Sequence, residues 1–334
     1  MDPVERIIVE QSPDVAHHLL VIDAPGLVEA AGELAGRVSI WCDDRRDADL
    51  LPAEMLVDSL DEKTLAGVDL VWMRLPKALS ALDEYAELIS AYADQNVHVI
   101  AAARTKNLNR SMNEVLAKHF KGVSASLGKY KCRALRATGA GRSRLSWPRE
   151  RVHPDLGIGV MAHGAVFATN KVDDGTRLLA ARCPDLHGDV LVDFGCGSGI
   201  LATLLARANR SSQVYGIDTS QAAVASTLAT AEANGERVEA HWSDRLEGLD
   251  DGSVDVVVMN PPFHRGIAKD SEPALEMFAE SGRVLRPGGE LWCVYNSHLP
   301  WKARLTAAVG MTTVVEQNPF YTLTRCVARG TVTA

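Results

Sequence analysis

The sequence predicts an α/β fold: two tandem doubly wound, Rossmann-like units, the first a degenerate copy of the second. Three observations predict it. Apolar runs of strand length alternate with helical runs along most of the 334 residues. Val190 to Ala206 reads as a buried strand, a glycine turn and an apolar helix, the opening unit of a doubly wound sheet. Acids and turn signals then recur in the same order in both halves.

The elements follow in order. Residues 1 to about 16 form an amphipathic lead-in. His18 to Gly26 is an apolar strand ending in Asp23 and a turn glycine, and Leu27 to Leu34 continues as a helix. Val38 to Asp44 is a second strand ending in acids, and Val68 to Pro76 a third. A helical run from Ala78 to Ala93 leads to the strand Val97 to Ala103. Arg133 to Arg151, rich in Arg, Gly and Ser, is the expected connection. The expected domains are 1–140, a linker 141–160, and 161–334. In the second half, helices are expected at Arg177 to Ala181, Ser220 to Asn234 with Gly235 as stop signal, and Glu272 to Leu285. Strands are expected at Val238 to Trp242, Val254 to Met259 and Glu290 to Tyr295, then a hairpin over Val314 to Ala328. The matching order suggests a duplication whose first copy has lost its site. The alternative is that any two doubly wound domains look alike at this level.

The candidate chemistry lies at three successive strand ends. Asp193 precedes Gly195, Gly197 and Gly199, with Cys196 among them. Glycines turn sharply and let a ligand approach the backbone closely. A carboxylate ahead of them would repel a pyrophosphate and suits a cationic, amino-bearing ligand such as S-adenosylmethionine. A purely structural turn is the plainer reading of that loop alone. Asp218, 25 residues on, is placed to accept ribose hydroxyls. Asn260-Pro261-Pro262-Phe263 closes the third strand. Ser243 and Asp244 end a further strand, either facing an adenine ring or forming a plain turn.

Bulk properties bound the rest. The net charge is −8, yet Arg104 to Arg151 holds thirteen Lys or Arg against two acids, +11. The remainder, 22 basic against 41 acidic residues, is −19. Such a segment is either an electrostatic footprint for RNA or a solvated linker face. Arg104, Lys106, Arg110, Lys129, Lys131 and Arg133 are the candidate RNA contacts. Six cysteines make no CxxC pair, so no metal is expected. No apolar run reaches a membrane span and no secretory signal is visible, so no membrane partner is expected. A cytoplasmic protein with reduced thiols is the simple reading of the cysteines, and a monomer is expected.

The aspartate-led glycine loop, Asp218 and Asn260-Pro261-Pro262-Phe263-His264 resemble the class I S-adenosylmethionine-dependent methyltransferases, and within them the bacterial ribosomal-RNA guanine-N2 methyltransferases. Leu75-Pro76-Lys77-Ala78-Leu79 and the basic Arg104 to Lys131 stretch resemble the large-subunit branch, whose N-terminal half is degenerate; Asn296-Ser297-His298-Leu299 also resembles the family. The resemblance implies a cofactor cover before the glycine strand. Phe167 and Thr176 fall there, and Asp174 and Thr176 fit either its D-x-G-T-like turn or a plain helix cap. It implies methyl transfer to an exocyclic amine, with Asn260 and the Pro261 carbonyl accepting its N–H groups and Phe263 stacking the base. Asn318-Pro319-Phe320-Tyr321 departs from the family, which tends to place a lysine there. A glutamine-modifying protein methyltransferase, with a similar Asn-Pro-Pro motif, and a small-molecule N-methyltransferase are the competing activities.

Overall fold

The computed structural model describes residues 1–261 and 272–329. The chain divides into two compact units, Met1–Trp147 with His163–Ala165, and Pro148–Ala162 with Val166–Ala334.

The first unit carries strands β1 (Ala16–Ile22), β2 (Ala35–Trp41), β3 (Leu70–Arg74), β4 (His98–Arg104), β5 (Phe120–Ala125) and β6 (Cys132–Ala140). Its helices are α1 (Pro3–Glu10), α2 (Val28–Leu34), the single turns α3 (Arg45–Ala48) and α4 (Glu62–Leu65), α5 (Leu79–Tyr92) and α6 (Arg110–His119). The strands form one sheet in the order β2-β1-β3-β4-β6-β5. β1 to β4 are parallel and β6 runs against both its neighbours.

The second unit opens with a hairpin of β7 (Arg149–His153) and β8 (Ile158–Ala162). Helix α7 (Asp174–Ala180) leads to β9 (Val190–Phe194), α8 (Ile200–Ala208), β10 (Gln213–Asp218), α9 (Gln221–Ala233), β11 (Glu239–Trp242) and β12 (Val254–Met259). Then come α10 (Glu272–Val284), β13 (Leu285–Asn296), α11 (Trp301–Ala308), β14 (Gly310–Gln317) and β15 (Tyr321–Ala328). The sheet order is β11-β10-β9-β12-β13-β15-β14. β9 to β13 are parallel, and β15 is antiparallel to β13 and β14.

The two orders are the same, read from β1 and from β9, except that the first sheet lacks the outermost strand. A single parallel bridge, Ile40 to Leu56, stands on the outer side of β2 where β11 lies beside β10.

Both faces of the second sheet are covered at its central strands. Alternate residues of β12 enter different cores: Val257 and Met259 pack with Phe278 and Trp301, Val256 and Val258 with Leu201 and Leu205. Burial on both faces is why Val254 to Met259 reads as one apolar run. With no exposed face, polar chemistry on these strands is confined to their ends.

The expected elements are present with shifts of a few residues at their ends. Three features differ from the expectation. Residues 132–140 form a strand inside the expected connection, residues 120–125 pair with it, and 149–162 form a hairpin where a linker was expected. β5 exposes Lys121, Gly122 and Ser124, and β7 exposes Arg149, Glu150 and Arg151, a pattern that resembles a polar loop.

Candidate active site

Asp193, Asp218 and Asn260 stand at the carboxyl ends of β9, β10 and β12, which are neighbours in the parallel sheet. This is the edge where open α/β sheets bind ligands.

The loop after β9 is held from below. The Gly195 and Cys196 N–H groups both donate to the Ile217 carbonyl, at 2.7 and 3.2 Å. Gly195, Gly197 and Gly199 all have left-handed φ, +80°, +53° and +77°. Gly199 caps α8, and a Cβ there would lie 2.6 Å from Thr227 Cα, so only glycine fits. Gly197 has nothing within 4 Å of a would-be Cβ, which leaves room over the loop. Its N–H donates to Asp218 Oδ2 at 3.0 Å, and Ser220 N–H to Oδ1 at 2.9 Å. Cys196 is buried with its Sγ 3.1 Å from Thr227 Oγ1, a packing place rather than an exposed ligand contact. Asp244 follows β11, and the Ser243 N–H before it donates to the Asp218 carbonyl, at 3.0 Å.

Asp193 is buried at 1% exposure. Its Oδ2 accepts the Ala202 N–H at 2.9 Å, inside the first turn of α8. Its Oδ1 is buried and has no hydrogen-bond partner among the described residues. Burial chiefly, and the Asp218 carboxylate next, push the Asp193 carboxyl up to about 7, against the Ala202 N–H that lowers it. Asp193 thus splints the loop to the helix and keeps one oxygen free, where its place in the sequence suggested an open carboxylate.

Asn260 is tied to the segment before β9. Its Nδ2 lies 3.0 Å from Thr176 Oγ1 and 3.3 and 3.4 Å from the two Asp173 oxygens. Asn260 Oδ1 is buried with no partner among the described residues. The cap of α7 is Asp173, which takes the Thr176 N–H at 3.1 Å, and not Asp174 or Thr176. Thr176, expected at the cofactor, sits against Asn260. Phe167 is 80% exposed, two residues before the left-handed Thr169. Pro261 is buried; Pro262, Phe263 and His264 lie outside the described residues.

A buried acceptor left without a donor costs about 1–3 kcal/mol. Two such oxygens, on Asp193 and Asn260, flank the loop at the same sheet edge, with open space above Gly197. The residues therefore fit a ligand that carries N–H donors and positive charge.

The first unit shows what the same fold looks like without that site. Arg74 ends β3, the counterpart of β12, and its guanidinium pairs with Glu5 at 3.1 Å and Asp2 at 2.9 Å. The Glu5 carboxylate presses on the loop after β1, 2.5 Å from where a Gly26 Cβ would stand. An ion pair from α1 thus fills the place between that loop and the end of β3. Asp23 persists at the end of β1, pushed up to about 7 mainly by burial, its Oδ1 taking the Asp43 N–H at 2.9 Å.

Arg104, Lys106, Lys131 and Arg133 are exposed at the carboxyl edge of this sheet. The β4–β6 ladder pairs Ala103 with Arg133 and Arg104 with Cys132, and Thr105 N–H donates to the Lys131 carbonyl at 2.9 Å. Lys129 is engaged by Glu10 at 2.6 Å and lies 4.9 Å from the Tyr130 ring centre, and Arg110 pairs with Glu114 at 3.3 Å. Among the described residues there is no cluster of three metal-ligating side chains, and no helix long and apolar enough to cross a membrane.

Comparison with known proteins adds to this geometry. A methyltransferase small domain model matches residues 157–325, and an RLMG N-terminal domain model matches 47–141. The chain is 34% identical over 257 residues to the ribosomal RNA large subunit methyltransferase G of Shewanella denitrificans, covering 75% of this chain and 67% of that one. It is 31% identical over 273 residues to the protein of the same name from Streptomyces avermitilis, covering 78% and 72%. The aligned part reaches only 62% of the length of the Shewanella loihica relative. Among solved structures, the T. thermophilus 16S rRNA N2 methyltransferase in complex with AdoMet and guanosine superposes with a TM-score of 0.81 at 22% identity, over 98% of this chain and 92% of that one. That likeness shows a shared fold across both units.

The buried carboxyl of Asp193 has a consequence for stability. Its folded value of about 7 lies above the ordinary 3.8. Above pH 4 the unfolded chain releases this proton while the folded chain keeps it. Stability from this group is full below about pH 4 and is lost as pH rises towards 7. Asp193→Asn, which keeps an oxygen for the Ala202 N–H, is expected to shallow that decline, with Asp23 supplying the part that remains. Urea unfolding at pH 5, 6 and 7 checks it; equal slopes for both proteins contradict it.

Proposed function

The chain belongs to the family of the ribosomal RNA large subunit methyltransferases G, and on that premise we propose that it transfers a methyl group from S-adenosylmethionine to the exocyclic N2 amine of a guanine in ribosomal RNA. Methyltransferase activity follows from the family; the target atom is the proposal. The observation that carries it is the Asn260 amide oxygen, buried and without a partner among the described residues, at the end of β12 beside the glycine loop.

An exocyclic amine is a poor nucleophile because its lone pair is delocalised into the ring. Accepting both its N–H bonds draws the nitrogen towards tetrahedral geometry and aims the lone pair. In this reading Asn260 Oδ1 accepts one N–H and the Pro261 carbonyl the other. Proline brings a carbonyl with no competing N–H. S-adenosylmethionine, when bound, supplies a methyl group already activated by a sulfonium charge. Asp193 and the loop after β9 would hold it, with Asp218 taking its ribose hydroxyls. Alignment and electrostatics then supply most of the rate. The amine's surplus proton passes to solvent.

The exposed cations at the edge of β4 and β6 support an RNA partner. Arg104, Lys106, Lys131 and Arg133 face solvent within a segment of +11. The guanine itself would have to leave its stack to reach a buried amide, and Phe263 is proposed to stack it. We carry a monomer acting in the cytoplasm as part of the same reading.

Three outcomes test this. Labelled methyl should pass from S-adenosylmethionine to ribosomal RNA from cells lacking this protein and appear as N2-methylguanosine; label in protein alone overturns the reading. Asn260→Ala should bind the donor within about twofold of the parent while transfer falls about a hundredfold or more; full activity in that variant removes the amine-holding role. Replacing Lys106, Lys131 and Arg133 by Ala should weaken RNA binding and lower the slope of log K against log salt by roughly 0.7–0.9 for each phosphate no longer neutralised. An unchanged slope makes these residues ordinary surface.

A further inference from the structure

We infer that Asp173 and Thr176 are positioning residues that fix which end of the Asn260 amide faces the substrate, and so select an amine donor over a carbonyl acceptor on the target. The inference rests on the reading of Asn260 given above and deepens it.

A threonine hydroxyl has one proton to donate and lone pairs to accept with. Thr176 Oγ1 lies 2.5 Å from Asp173 Oδ2, and a carboxylate can only accept, so the hydroxyl proton points at Asp173. With that proton engaged, Thr176 Oγ1 has only lone pairs left for Asn260, 3.0 Å away. The two Asp173 oxygens, at 3.3 and 3.4 Å, are acceptors as well. Every neighbour on that side wants a donor. The amide must turn its NH2 group there, and a flipped amide would set its oxygen against three others.

Its own oxygen is thereby turned the other way, where it is buried and has no partner among the described residues. An acceptor held in this manner suits an N–H donor. It repels a ring carbonyl, so the amine edge of a guanine fits and its oxygen edge does not.

The positioning pair is itself held. Asp173 Oδ1 accepts the Thr176 N–H at 3.1 Å, which fixes the carboxylate at the start of α7. Gly175 lies between them; a Cβ there would stand 3.0 Å from Asp173 Oδ1 and 3.0 Å from the Tyr321 ring. A side chain there would be tighter than ordinary contact, so the turn is closely packed, with the aromatic ring of β15 as its wall. No contact in this set reaches the glycine loop, and the bonds of the pair run to the amide.

The test is a kinetic split in the full chain, with S-adenosylmethionine and unmethylated ribosomal RNA as substrates. Thr176→Val keeps the shape and the backbone cap but removes the hydroxyl. It is expected to lower kcat about tenfold or more with both KM values within about twofold, as loss of a hydrogen bond that orients a reacting group would. Thr176→Ser should restore kcat to within about threefold of the parent, which a mere volume effect would not do. Thermal unfolding of each variant confirms a folded chain before kinetics are compared. Wild-type kcat in Thr176→Val overturns the inference. So does a raised KM for S-adenosylmethionine with kcat unchanged, which makes Thr176 a donor contact. Parent protein that leaves no methyl on guanine N2 overturns the reading of the site first, and this inference with it.

Discussion

Thr176 has a single hydroxyl proton, and Asp173 takes it. That bond turns the start of α7 into a surface of acceptors, and the amide at the end of β12 answers it. Helix α7 and β12 already share an apolar core through Leu179, Ala180, Val256 and Val258, and this bond joins them in one polar unit as well, at the point where the sheet stops being apolar. Above it the strand is buried on both faces and can carry no chemistry. The constraint is general for parallel sheets covered by helices. Polar groups gather at strand ends because there the backbone runs out of partners and the core no longer excludes them. Asp193 obeys the same constraint. It is buried at the end of β9, bonded on one oxygen to the first turn of α8, and its carboxyl is held up near 7.

The two units carry the same strand order to different ends. The first keeps four parallel strands and the antiparallel pair, and reduces the outermost strand to one bridge at Leu56. Its first strand still ends in an acid, the half-buried Asp23. The place that would face a ligand is filled from α1, where Glu5 touches the loop at Gly26 and pairs with Arg74. A sheet is stabilised by its faces and a ligand site by its edge. The edge can therefore be closed by an ion pair while the core of Leu20, Val71, Val99 and Leu135 stays intact.

Charge is divided in the same way. A chain of net charge −8 holds a stretch of +11, and much of that stretch folds as a helix and an antiparallel pair rather than as a tether. Arg104 and Lys106 reach the carboxyl edge from β4, and Lys131 and Arg133 reach it at the start of β6. Lys129 and Arg110 are partly spent on Glu10 and Glu114. A count of basic residues overstates what is free to meet a polyanion. Their placement on a rigid ladder makes the remaining ones more useful to a partner, since less side-chain and backbone freedom is lost on binding.

The sequence by itself determined the doubly wound architecture, because strands buried on both faces must be continuous apolar runs and their ends must turn on glycine or a polar residue. Asp193, the three glycines, Asp218 and Asn260 were legible for that reason. The edge strand β5, its neighbour β6 and the β7–β8 hairpin were not, since half-exposed strands carrying Lys and Arg have the composition of a loop. Only the tertiary structure decided what surrounds those residues: that an ion pair from α1 closes the first unit, and that Asp173 and Thr176 meet an amide 87 and 84 residues away. Local pattern fixes where a chain can bend and which face is apolar. The direction of a hydrogen bond between distant segments depends on which donors are already engaged, and that is known only once the segments are packed together.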